Sequence, residues 1–231
     1  MKPITTCIIP FYNEGKRTLD VLKVMVQVKE LDEIICVDDG STDNISNVIR
    51  NKYKKVTVLV LPQNKGKTEA INNGVQKAKG KNIILIDADL RNLQPGYIRN
   101  AVIKMQHNTR VDMIILRRAN APLFMRVIRG DILVSGERIL RKSDLQKALF
   151  SLKPKGYQLE FAVNQYMLVN HKNVYWMRSS ALNTYPPTKM GLVKGLKKII
   201  RMNANILNYI GFVNYIKQLI FFCRKEATLS T

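Results

Sequence analysis

One stretch constrains this chain more than any other: Ile83-Ile84-Leu85-Ile86-Asp87-Ala88-Asp89-Leu90. Four aliphatic residues in unbroken succession read as a parallel strand buried on both faces. Such a strand carries its polar groups at its ends, so Asp87 and Asp89 fall at the carboxyl edge, where open α/β sheets bind ligands. At positions i and i+2 of an ideal strand both side chains point the same way. Carboxylates held that close repel, and the pair suits a hard divalent cation. The other reading of the same triplet is a cap for the segment that follows.

Similar runs precede it. Residues 5–9 form an apolar strand ended by Pro10, residues 33–37 a second that closes on Asp38 and Asp39, and residues 56–61 a third. Between them, residues 16–28 place Leu19, Leu22 and Val26 at helical spacing. Ser41, Thr42 or Asp43 suits the cap of a second helix. Asn64-Lys65-Gly66-Lys67 opens a third, with Ala70, Ile71, Gly74, Val75 and Ala78, closed by Gly80. Strand and helix alternate, which predicts an α/β fold with a doubly wound, mostly parallel sheet and right-handed crossovers. Farther on, the pattern predicts a helix over 95–106, a strand over 112–116 and an irregular arginine-rich stretch over 117–131. A short helix from Ser143, a helix over 158–169 and a strand over 173–177 follow. Tyr185-Pro186-Pro187-Thr188-Lys189 breaks the chain, dividing a catalytic domain (1–188) from a basic amphipathic helical tail (189–231).

Charge follows the same division. Residues 1–90 hold 14 Lys and Arg against 11 Asp and Glu, whereas residues 91–231 hold 24 against 6. The second half therefore faces something anionic: nucleic acid, a membrane surface or a phosphorylated substrate. Three scattered cysteines (Cys7, Cys36, Cys223) make no disulfide framework, and two of them lie in core strands as small hydrophobes. A reducing, cytoplasmic setting is expected, and the chain enters its first strand without a signal segment.

Three strand ends then meet at one sheet edge: residues 10–14, residues 38–41 and residues 87–89. No Gly-x-Gly-x-x-Gly follows the first strand and no Gly-Lys-Ser/Thr loop occurs, which counts against dinucleotide oxidoreductases and P-loop enzymes. Carboxylates at the second strand end suit ring N–H and ribose hydroxyl groups. Those at the fourth suit a metal bridging a diphosphate.

Ile8-Ile9-Pro10-Phe11-Tyr12-Asn13-Glu14, Val37-Asp38-Asp39-Gly40-Ser41-Thr42-Asp43, Asn64-Lys65-Gly66-Lys67 with Ala70, and Asp87-Ala88-Asp89 occur in order. Over residues 4–160 the chain resembles family 2 glycosyltransferases, and among them the dolichyl- and polyprenyl-phosphate sugar transferases. The resemblance implies the A-type nucleotide-diphospho-sugar transferase fold, a UDP- or GDP-linked sugar donor, Mg²⁺ or Mn²⁺, and inversion at the anomeric carbon. It places Pro10, Tyr12, Glu14, Val37 and Asp39 around base and ribose, and Lys67 and Ala88 beside the diphosphate or sugar. Asp87 and Asp89 would hold the metal, Asp89 more directly.

The acceptor is less constrained. A hydroxyl acceptor needs a carboxylate base. Of Asp112, Asp131, Glu137, Asp144, Glu160 and Glu226, Glu160 is expected in that role, since Gly156-Tyr157-Gln158-Leu159-Glu160 resembles the family segment that brings an acid to the site. A polyprenyl or dolichyl phosphate needs cations instead, and Arg117, Arg129, Arg138 and Lys189 are the candidates. This stretch departs from the Arg-plus-Ser-Lys pattern of dolichyl-phosphate mannose synthases, which leaves a glycan or small-molecule hydroxyl open. Residues 191–222 are amphipathic, basic and aromatic, too interrupted to span a bilayer, and fit a helix lying on an anionic membrane; the other reading is a helix that packs back on the catalytic domain. The expectation is a metal-dependent enzyme peripheral on the cytoplasmic face of a membrane. A basic nucleic-acid-binding protein is the reading from another class; the aromatic residues are not interleaved with a basic groove, and no nucleic acid is expected. A pyrophosphorylase-type transferase would want a glycine-rich basic loop where residues 10–15 stand.

Overall fold

Alternation of side chains along the apolar runs decides how the layers assemble. In the computed structural model, which describes residues 4–182 and 191–228, strand β1 (Thr5–Phe11) is buried along its length. Cys7, Ile9 and Phe11 face one apolar core and Ile8 the other. The neighbouring strands β2 (Glu33–Asp38) and β4 (Asn82–Leu85) split likewise. Cys36 and Ile84 join the first core, and Ile35, Val37, Ile83 and Leu85 the second. Strands buried on both faces need helices on both. α1 (Lys16–Met25), α2 (Ile45–Lys52) and α4 (Pro95–His107) cover the first face. α3 (Lys67–Lys77), α7 (Lys142–Leu152) and α8 (Leu159–Val169) cover the second.

Five more strands complete the sheet: β3 (Thr57–Val60), β5 (Met113–Arg117), β6 (Arg138–Arg141), β7 (Val174–Arg178) and β8 (Lys225–Glu226). Their order is β3-β2-β1-β4-β6-β5-β7-β8. Every neighbouring pair is parallel except the two made by β6, with β4 and with β5. The doubly wound, mostly parallel α/β sheet expected from the sequence is the architecture found. The chain winds outward from β1 to β3 and then returns to set β4 on the other side of β1. That reversal opens a crevice at the carboxyl ends of β1 and β4.

Differences from expectation have physical causes. β1 runs through Pro10 instead of stopping before it. Ile8 presents its carbonyl to the Ile86 N–H (3.1 Å) and Phe11 presents its carbonyl to the Asp39 N–H (2.9 Å). By alternation the Pro10 nitrogen points to the β4 side, beyond the last β1–β4 pair at Ile8 and Leu85, so no ladder bond is lost. Within the stretch from 117 to 141 lie two short helices, α5 (Leu123–Val127) and α6 (Gly130–Leu133), as well as β6. A four-residue strand flanked by arginines has too little periodicity to announce itself.

The tail is less separate than the sequence suggested, and its expected limit at 188/189 lies outside the described residues. α9 (Leu192–Ile210) and α10 (Phe212–Phe221) lie back on the second face, where Ile206 and Ile210 are buried. Gln218 donates through Nε2 to the Phe161 carbonyl (3.2 Å) and to Gln165 Oε1 (3.1 Å). Tyr215 stacks on Phe161 with ring centroids 5.8 Å apart. β8 then joins the sheet beside β7, and the Ala227 N–H donates to the Trp176 carbonyl at 2.8 Å. Among the described residues no helix is long and apolar enough to cross a membrane.

Candidate active site

The loops after β1 and β2 are locked to each other by short polar side chains. Asn13, in the left-handed region, donates its backbone N–H to Ser41 Oγ (3.0 Å) and accepts the Thr42 N–H on Oδ1 (2.8 Å). Asp43 accepts the Gly15 N–H at 2.9 Å. Asp39, at the tip of β2, accepts the N–H groups of Lys65 and Gly66, both at 2.8 Å, and so pins the segment that leads into α3. These bonds explain why the asparagine, serine and aspartate residues recur beside the strand ends: each stands in for backbone partners that the sheet no longer supplies.

α3 brings Lys67 to the crevice on its first turn. Its Nζ lies 2.7 Å from Asp87 Oδ1 and 2.9 Å from Glu160 Oε1. Thr68 donates to the Gly156 carbonyl (3.0 Å), holding the turn that leads into α8 and Glu160. Asp87 also receives Arg118 Nη2 at 3.0 Å. Arg118 is gripped from behind by Glu137, Nε to Oε2 at 2.5 Å and Nη2 to Oε1 at 2.7 Å. Glu137 is fully buried and takes a further bond from Ser135 Oγ at 3.2 Å. Burial alone would raise the Asp87 pKa, but Lys67 and Arg118 outweigh it and hold the carboxyl well below the usual range. Burial would likewise lower the Lys67 pKa, and Asp87 with Glu160 raises it instead. For Glu137 burial wins and its pKa is raised, with the Arg118 charge opposing. Gly136 leaves the room that these side-chain ends occupy. A Cβ there would stand 2.7 Å from Asp87 Oδ2 and 2.8 Å from Lys67 Nζ.

Lys67, Asp87, Arg118 and Glu160 line a cleft of about 580 Å³. Pro10, Tyr12, Glu14, Asp39, Lys67, Asp87, Ala88, Asp89 and Glu160 all border it. The carboxylates of residues 39 and 89, from two different strand tips, thus share one cavity. Val37 does not border it: the Val37 side chain is fully buried in the second core, against the position of Gly74. Its place in the nucleotide site is corrected for that reason: the side chain is spent on the core that α3 covers and forms no part of the cleft wall. The acceptor-phosphate arginines are corrected as well. Arg117 is bound to Asp131 (2.6 Å) and lies over the Trp176 ring at 5.1 Å. Arg129 donates to the carbonyls of Phe222 and Cys223. Arg138, 1% exposed, bonds Asn164 Oδ1 (2.9 Å) and the carbonyls of Ser135 and Glu160. None of the three borders the cleft. Lys189 lies outside the described residues.

Arg118 borders the cleft in their stead, and sequence reasoning passed over it. The signal was the Arg117-Arg118 doublet closing an apolar strand; which of the two faces inward depends on where β5 ends. Of the six acids considered as a base, four are engaged elsewhere: Asp112 with Arg141, Asp131 with Arg117, Asp144 with Lys172 and Glu226 with Arg178. Glu137 sits behind Arg118, and Glu160 alone of the six borders the cleft.

The donor set bears on a divalent cation. Among the described residues no three His, Cys, Asp or Glu side chains surround a common point. The Asp87 oxygens face Lys67 and Arg118, whereas Asp89 borders the cleft half-buried. That set fits Mg²⁺ or Mn²⁺ held through one carboxylate and completed by phosphate oxygens, a common arrangement for Mg²⁺, and not a cage built by the protein alone.

The sequence profile described as Glycosyl transferase family 2 matches residues 6–168, more than half of the chain. The chain belongs to that family. Over 97 residues it is 35% identical to a dolichyl-phosphate beta-glucosyltransferase of Trichomonas vaginalis, covering 37% of this chain and 29% of that protein. Over 104 residues it is 33% identical to an undecaprenyl-phosphate 4-deoxy-4-formamido-L-arabinose transferase of Pseudomonas fluorescens, covering 40% and 31%. The chain's match spans about a third of the length of these relatives. Among solved structures, glucosyl-3-phosphoglycerate synthase of Mycobacterium tuberculosis, in complex with Mn²⁺, UDP and glucosyl-3-phosphoglycerate, superimposes with a TM-score of 0.70. That match covers 90% of this family 2 chain and 80% of the synthase at 18% identity, a likeness of fold.

Proposed function

We propose that this chain transfers a sugar, with inversion, from a nucleoside-diphosphate sugar to an acceptor carried at a membrane surface. The observation that carries the reading is the meeting of Asp39, Asp89, Lys67, Arg118 and Glu160 in one cleft at the carboxyl ends of parallel strands. Asp39, fixed by two backbone N–H groups, is positioned for the ribose and base. Lys67 and Arg118 are the cations beside Asp87, ready to exchange that carboxylate for diphosphate oxygens. A divalent cation on Asp89, when bound, would neutralise the charge that grows on the departing diphosphate. Asp87 keeps the two cations oriented before the donor arrives. The buried Glu137 keeps Arg118 from swinging into solvent.

For the acceptor, we favour a polyprenyl or dolichyl phosphate, supported by the activities for which the two relatives are named and by Arg118, whose fork suits phosphate. A phosphate oxygen is already a competent nucleophile and needs no strong base. One observation favours a second reading, a glycan or small-molecule hydroxyl. Glu160 borders the cleft and is oriented by Lys67 at 2.9 Å, as a general base has to be. Thermal-shift measurements against UDP- and GDP-sugars with Mn²⁺ or Mg²⁺ test the donor. Transfer to polyprenyl phosphate and to sugar hydroxyls, by wild type and by Glu160→Gln, then separates the acceptors. A phosphate acceptor leaves Glu160→Gln within about tenfold of wild type, whereas a hydroxyl acceptor costs it roughly a hundredfold or more. Absence of any nucleotide-sugar stabilisation would refute the donor reading.

A further inference from the structure

We propose that the outer faces of α9 and α10, with Val127 and Ile128 beside them, seat the protein on an anionic phospholipid surface. This deepens the transferase reading, on which it rests for its purpose, by naming the face through which a membrane-borne acceptor is met.

Both helices have an occupied inner face and an apolar outer one. α10 packs inward through Tyr215 and Gln218 against α8. Outward, Val213, Lys217 and Ile220 succeed one another at intervals of four and three residues, and Phe221 stands beside them 62% exposed; Arg224, exposed just past the helix end, donates to the Ile220 carbonyl at 2.8 Å. That spacing is one side of a helix. α9 buries Ile206 and Ile210, while Val193 (65% exposed), Lys197, Ile200 (61%), Arg201 and Leu207 lie on its open side. Large aliphatic side chains left in solvent at helical spacing, interleaved with cations, describe an interfacial helix.

Charge selects the occupant. Residues 191–224 hold six Lys and Arg and no Asp or Glu, so the surface is complementary to anionic headgroups. A nucleic-acid surface would not want exposed Ile and Phe between its cations, and a second copy of this chain would meet like charge. The first arginine-rich segment joins the same surface. Arg129 donates to the carbonyls of Phe222 and Cys223, which holds the exposed Val127 and Ile128 against the end of α10. Arg129 therefore assembles the docking surface and does not bind substrate.

The site gives the surface its use. On the side of α9 that faces the domain, Met202 and Ile206 border the catalytic cleft. One helix thus contributes an apolar wall to the cleft and an apolar, basic stripe to the exterior. Seating that stripe in headgroups brings the cleft wall within one helix diameter of the lipid, about 10 Å.

Sedimentation of the full chain with vesicles tests this. It is expected to pellet with phosphatidylcholine–phosphatidylglycerol vesicles, to release in high salt, and to stay in solution with phosphatidylcholine alone. Lys217→Gln with Arg224→Gln lowers vesicle affinity about thirtyfold, at roughly fivefold per charge near the surface. Ile220→Asn with Phe221→Asn also lowers it, and both variants keep the wild-type rate of donor hydrolysis in buffer. The charge variant leaves the apolar packing untouched, so it remains informative if the other fails to fold. Equal binding by wild type and the charge variant would overturn the proposal. So would preference for an RNA oligonucleotide over anionic vesicles, or a dimer that the apolar variant dissociates. Donor hydrolysis without vesicle binding would remove the docking surface and leave the transferase standing; vesicle binding without donor turnover would do the reverse.

Discussion

Lys67 shows how single side chains set the chemistry of this cleft. It bridges carboxylates from β4 and from α8, two elements that the chain joins only after more than sixty residues. Gly136 gives it room. In Gly136→Ala the new methyl meets only the movable ends of Asp87 and Lys67, so stability changes by less than about 1 kcal/mol. The displaced charges nonetheless lower transfer by roughly tenfold to a hundredfold, because small misplacements at a reacting centre are costly. Urea unfolding and initial rates on the same preparation check both halves; an unchanged rate would show that the contact does not matter. The cysteines test burial independently. Burial pushes the Cys36 and Cys223 thiols up to about 12, and burial with Cys36 alongside raises the Cys7 thiol well above its ordinary value. Iodoacetamide at pH 8 is expected to leave all three unmodified in the folded chain and to label all three in denaturant, read by mass spectrometry.

At the scale of elements, α3 decides whether the site assembles, and its distance from the sheet is fixed by Gly74. A Cβ at that position would stand 2.7 Å from Ile8 Cγ2 and 3.2 Å from Val37 Cγ2. Those atoms belong to a close-packed core and have little freedom to move. Gly74→Ala is therefore expected to destabilise the protein by about 1–3 kcal/mol, and to weaken donor binding as Lys67 lifts with its helix. A thermal melt unchanged from wild type would contradict that packing. The sequence announced α3 through Ala70, Ile71, Gly74 and Val75, as it announced β1, β2 and β4 through their apolar runs. It did not announce β6, whose four residues carry an arginine at each end. Nor did it reveal β8, which is two exposed residues joined to the sheet by backbone bonds and by the ion pair of Glu226 with Arg178.

The whole molecule places its functions by topology. Winding outward from β1 and returning at β4 gathers carboxylates from distant parts of the chain, and that gathering was legible because β2 and β4 both run into aspartates. The choice among cations was not. Arg117, Arg129 and Arg138 are indistinguishable from Arg118 as letters, yet three are consumed by internal carboxylates, carbonyls and an aromatic ring. Only the turn of the backbone after β5 sends the fourth into the cleft. The tail was half legible: its basic amphipathic character could be read, and packing on the domain stood beside membrane contact as a reading, but its partners on α8 and in the sheet could not be named. The central claim is that strand-tip carboxylates and a divalent cation act on one nucleotide sugar. Its most direct test is the rate of nucleoside-diphosphate release, with the donor that best stabilises the protein, in wild type and in Asp89→Ala. Wild type is expected to turn over with Mn²⁺ or Mg²⁺ and to stop in chelator, and Asp89→Ala to lose about a hundredfold or more. Wild-type rates in Asp89→Ala, or in chelator, would contradict it.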